Sequence, residues 1–86
     1  MLKKIDNAIK KTQKVLKQYK CTFTEYMKDS GRRDDIDLGD KIITKNGSIG
    51  VVVGWNRSCN YDVFLFSKLD IYNVHPNDAE LYKEEK

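Results

Sequence analysis

One histidine, one proline, one tryptophan and two cysteines in 86 residues leave little material for most kinds of site chemistry. Cys21 and Cys59 fall outside any Cys-x-x-Cys spacing, so neither a disulfide framework nor a redox motif is expected. A metal site would have to draw Cys21, Cys59, His75 and a carboxylate from three distant segments; none is expected, nor any cofactor. His75 stands directly before Pro76, a turn position rather than that of a general base, and no glycine loop is shaped to cradle phosphate. Asp34, Asp35, Asp37 and Asp40 lack the ligand spacing of a calcium loop and read as a solvated acidic run. Enzyme activity is therefore not expected. No apolar run is long enough to span a membrane. The opening MLKKIDNAIKKTQ lacks the apolar stretch of a signal peptide, which gives a reducing cytoplasm as the expected location.

What the chain does have is charge, unevenly placed. With 40% hydrophobic and 34% charged residues it reads as one small folded domain rather than a disordered segment. Its net charge of +3 hides a division: residues 1–20 carry seven lysines against Asp6 alone, a net of +6, and the remaining nine basic and twelve acidic groups give a net of −3. A basic arm on a mildly acidic body points to an anionic partner.

Leu2, Ile5, Ile9, Thr12, Leu16, Tyr19, Phe23 and Tyr26 recur at alternating steps of three and four, the seam of an amphipathic helix. The unbroken phase predicts one helix over about residues 2–29, ending at Asp29-Ser30-Gly31, although Thr22-Phe23-Thr24-Glu25 also fits a capping box that would start a second helix. Such a helix would be about 42 Å long and would overhang a body about 26 Å across. Its exposed seam, formed by Leu2, Ile5, Ile9, Leu16, Tyr19 and Phe23, would then call for a second chain, and a homodimer is the expectation. Packing of the stripe on the protein's own body is the alternative. On the opposite face lie Lys3, Lys4, Lys10, Lys11, Lys14 and Lys17, with like charges one turn apart at Lys10/Lys14, Lys11/Lys14 and Lys14/Lys17. An ordinary solvated helix interleaves glutamate with lysine; this imbalance costs a few tenths of a kcal/mol per pair, about 0.2–0.5 each, and suits phosphate or an acidic protein surface.

The chain beyond divides into an acidic linker over 31–38, a strand-rich region over 39–83 and a charged tail over 84–86. Strands are expected at about 40–44, 49–55, 61–66, 70–74 and 79–82, with a tight Asn46-Gly47 hairpin, bends at Gly50 and Gly54, and a turn at Pro76. Five short strands with tight turns predict a small antiparallel barrel, so the fold class is α+β: a long N-terminal amphipathic helix followed by a five-stranded β-barrel. In YDVFLF, Tyr61, Val63 and Leu65 alternate with Asp62, Phe64 and Phe66, a strand apolar on both faces.

The run Gly39-Asp40-Lys41-Ile42-Ile43, followed by Asn46-Gly47-Ser48-Ile49-Gly50-Val51-Val52, resembles the opening of SH3-like barrels of the KOW type found in ribosomal and transcription-elongation proteins. Tyr61-Asp62-Val63-Phe64 and His75-Pro76-Asn77-Asp78-Ala79-Glu80-Leu81 are similar to the terminal turn and strand of SH3-like and Tudor-like barrels. The resemblance covers residues 37–82. It implies the barrel fold, but Ser48 stands where KOW-type modules carry a basic residue, which leaves contact with nucleic acid to the helix.

Together these features describe a non-enzymatic binding module that engages nucleic acid, or a complex containing it, through the lysine face. Two other classes fit: a phage or mobile-element interaction module that inhibits a host protein, and an oligomerising structural adaptor. Trp55, Arg57, Tyr61, Phe64 and Phe66 are the candidate contacts on the barrel, because its aromatics exceed what so small a core encloses; the alternative is that they cover the junction with the helix.

Overall fold

The computed structural model describes residues 3–31, 35–56 and 60–82, so Leu2, Asp34, Arg57, Cys59 and the tail from 83 onward lie outside the described residues. Two helices come first, α1 (Lys3–Tyr19) and α2 (Phe23–Asp29), in place of the single helix expected. The break is local chemistry. Lys20 takes φ 56° at the end of α1. Thr22 then accepts from the Glu25 amide through its hydroxyl while its own amide donates to the Glu25 carboxylate at 2.9 Å. This reciprocal pair satisfies two N-terminal amides that a continuous helix would not leave open. The apolar phase survives the break because Leu16 of α1 and Phe23 of α2 enter the same core.

Five strands follow, β1 (Lys41–Thr44), β2 (Ile49–Trp55), β3 (Tyr61–Leu65), β4 (Asp70–Val74) and β5 (Ala79–Leu81), all antiparallel in the order β4-β3-β2-β1-β5. Among the described residues β4 and β5 do not pair with each other, so the expected barrel is an open sheet. The expected tight hairpin at Asn46-Gly47 joins β1 to β2, with Gly47 at positive φ, 88°, and its amide donating to the Thr44 carbonyl at 2.9 Å. The 3-10 turn at Pro76–Asp78 leads into β5, with Nδ1 of His75 accepting from the Asn77 amide at 3.1 Å, a turn role for that histidine.

β2 and β3 carry apolar side chains on both faces, which gives the sheet two cores. On one side Leu16, Phe23 and Met27 meet Ile42, Val52, Tyr61, Val63 and Val74; on the other Ile5 meets Val51, Val53 and Phe64. The segment expected as a solvated acidic linker is part of the first core: Ile36 is fully buried, Asp37 accepts from the Leu38 amide, and the Gly39 amide and Asp40 carbonyl bond to Val52 of β2. The molecule measures 35 × 28 × 27 Å, and α1, 17 residues or about 25 Å long, lies against it without overhang.

Candidate binding face

The seam that was expected to reach a second chain is covered by the protein's own sheet. Ile5, Leu16 and Phe23 are buried, Ile9 is half-buried, and only Tyr19 of the described seam residues is open, at 58% exposure. The physical case for a dimer through this stripe goes with the overhang. A sheet placed under the stripe leaves the opposite side of α1 in solvent: Lys3, Lys4, Lys10, Lys11, Lys14 and Lys17 are all exposed, as is Lys20. Lys4 alone among them has an ion-pair partner among the described residues, Asp70 at 3.2 Å; there the Ile71 amide and then the lysine hold the Asp70 carboxyl below the usual aspartate range.

The docking of α1 depends on an irregularity in β2. The register with β3 shifts between Val52 and Gly54, so Val53 has no partner across the ladder. The Thr12 hydroxyl donates to the Val53 carbonyl at 2.7 Å, and Gly54 allows the approach, since a Cβ there would stand 2.6 Å from Thr12 Oγ1. Beside this contact, between the flank of α1 and the sheet, runs a cleft of about 370 Å³ lined by Lys11, Val15, Val53, Trp55, Asp62 and Ile71. Burial raises the Asp62 carboxyl above the usual aspartate range, offset in part by a hydrogen bond from Asn73 Nδ2 at 2.6 Å.

The aromatic residues divide between two roles. Tyr61 and Phe64 are buried and offer no surface, which corrects their reading as contact residues; Tyr61 meets Phe23, and Phe64 lies in the core beneath α1. Trp55 is half-buried, 4.4 Å from the Tyr26 ring, and Tyr26 stacks in turn on Tyr19 at 5.6 Å with planes 14° apart. Phe66, 38% exposed, touches Phe64 edge-on. Arg57 lies outside the described residues. Asp62, Val15 and Ile71 were not read as site residues from the sequence, and Thr12 only as a member of the helix seam; the one signal was a carboxylate set inside the apolar strand Tyr61-Asp62-Val63-Phe64.

A second hollow of about 680 Å³ lies at the α1/α2 corner, where Lys17, Lys20, Glu25 and Asp37 give mixed charge around the half-buried Cys21. Among the described residues no group of three or more His, Cys, Asp or Glu side chains is placed to hold a metal ion, and no helix is long and apolar enough to cross a membrane. No protein-family model, curated protein or solved structure matches the chain.

Proposed function

We propose that the protein is a non-enzymatic binding module that engages nucleic acid through the lysine face of α1. The observation that carries this reading is that the helix's apolar side is already occupied by the sheet, while Lys3, Lys10, Lys11, Lys14 and Lys17 stand exposed and without ion-pair partners among the described residues. Like charges set one turn apart weaken an isolated helix by about 0.2–0.5 kcal/mol per pair, and phosphates along a nucleic-acid backbone relieve that repulsion.

If about five lysines meet phosphates, log affinity for duplex DNA falls with log salt at a slope of about −4.5. Replacing Lys10, Lys14 and Lys17 together by glutamate should abolish binding and leave the far-ultraviolet circular dichroism unchanged. Affinity that ignores salt, or survives the triple replacement, would overturn the electrostatic reading and turn attention to an inhibitor of a protein partner.

A further inference from the structure

We infer that the cleft between α1 and the sheet is a single-strand nucleic-acid site, in which an unpaired base stacks beside Trp55, its exocyclic amine donates to Asp62, and Lys11 holds the adjoining phosphate. This deepens the nucleic-acid reading above and rests on it.

Three features of the cleft point this way. The first is a ring platform. Trp55 lines the cleft with its indole backed by Tyr26, and the row continues to Tyr19, whose ring is mostly in solvent. Rings packed against one another, Tyr19 stacked on Tyr26 and Tyr26 tilted 33° to Trp55, are fixed in orientation before a base arrives, and every base has a face that can add to such a row. A volume of about 370 Å³ suits a small planar group and sits near the low end, about 300 Å³, of ordinary ligand clefts.

The second is an acceptor facing the same space. Oδ1 of Asp62 accepts from Asn73, which fixes the carboxylate, and Oδ2 has no hydrogen bond to another described residue. An ionised carboxylate can only accept, so it favours cytosine, which carries an exocyclic amine, over thymine, which presents a carbonyl at that position. The partial desolvation that raises the Asp62 carboxyl also makes an incoming donor worth more there than on open surface.

The third is charge of the opposite sign in the same cleft. Lys11 lines the cleft on the α1 side, and Lys10 and Lys14 are exposed on the same helix. The arrangement sets cation and acceptor on opposite walls, with the apolar surface of Val15, Val53 and Ile71 between them. A nucleotide has the same order: anionic phosphate, then planar ring, then polar edge. A duplex buries the ring face in its stack and commits one amine hydrogen to pairing, so the cleft selects unpaired strands.

Trp55 is the only tryptophan, so its fluorescence reports the cleft directly. The protein is titrated with oligocytidylate and oligothymidylate, each as DNA and as RNA, and with a DNA duplex of the same length. Oligocytidylate should quench the emission and bind about tenfold more tightly than oligothymidylate. D62N should erase that preference, and K11E and Tyr19→Ala should each weaken binding; Tyr19 is exposed enough that its loss spares the fold. Single strands of both bases binding equally to the unmodified protein, with D62N changing nothing, would overturn the base contact. Duplex binding with the expected salt slope but no quenching by any single strand would overturn the cleft and leave the lysine-face reading standing. Absence of binding to single strand and duplex alike would overturn both.

Discussion

The hydroxyl of Thr12 donates to the main-chain carbonyl of Val53 at 2.7 Å, joining the middle of α1 to the point where β2 slips its register with β3. The same hydroxyl lies 3.0 Å from the Ala8 carbonyl, but it has a single proton, and the shorter approach is to the strand. A carbonyl displaced from a ladder needs a donor from somewhere else, and here the helix supplies it.

Gly54 and Thr12 should therefore behave as a coupled pair. Thr12→Ala leaves the Val53 carbonyl without its donor and is expected to cost about 1–3 kcal/mol. Gly54→Ala drives a methyl to 2.6 Å from Thr12 Oγ1, with a cost of about 1–3 kcal/mol. In the double variant the new methyl faces the Cβ of residue 12 at 3.8 Å and Asp62 Oδ2 at 3.9 Å, both ordinary contacts. The combined loss should fall short of the sum by about 0.5–3 kcal/mol. Urea melts of the four proteins measure this, and strictly additive losses would contradict the close approach.

Two carboxyls should shift stability with pH in opposite directions. The Thr22 amide, and then the Thr22 hydroxyl, hold Glu25 below the usual glutamate range. Its contribution is present above that range and is lost as pH falls through the lowered value. Glu25→Gln should thus be less stable than the parent at neutral pH and converge with it in acid. Asp62 is raised by burial, so its ionised form is the less favoured one in the folded state, and stability drains away as pH climbs from the ordinary aspartate value through the raised one. Asp62→Asn keeps an acceptor for Asn73 and should match the parent in acid, then gain on it toward neutrality. Melting temperatures across an acid-to-neutral series read both effects, and parallel curves for either variant would refute its assignment.

Side chains on both faces of β3 should prove structural. Val63 and Leu65 face the larger core and Phe64 the one under α1. Val63→Ala or Leu65→Ala is expected to cost about 2–4 kcal/mol and Phe64→Ala about 3–5. Phe66, 38% exposed, should cost only about 1 kcal/mol when cut to alanine. Thermal melts separate the three buried positions from Phe66, and an equal loss at Phe66 would show that the ring is held more firmly than its exposure implies.

Strand positions were legible because they are short β-rich runs bounded by turn signals: Asn46-Gly47 and Pro76 each fall beside a strand end. The open edge between β4 and β5 was not legible, since periodicity says which residues face inward but not whether two distant edges meet. The helix break was written in Thr22 and Glu25 yet masked by a seam that stays in phase, because both helices face the same core across the corner. Ile36 sits among aspartates, and its burial follows from backbone bonds between Gly39, Asp40 and Val52 that no local pattern reveals. Exposure of the lysines followed from the helical period. The cleft did not, since it depends on where one extra residue in β2 moves a carbonyl.

The two cores are unequal, and the first half of α1 is tied down by the lesser one, Ile5 against Val51, Val53 and Phe64, with Thr12–Val53 and Lys4–Asp70 beside it. A fluctuation that parts these contacts leaves the larger core closed. Residues 3–15 are thus expected to open as a unit of their own, with amides that exchange with solvent ahead of those in β2 and β3 while the rest of the molecule stays folded.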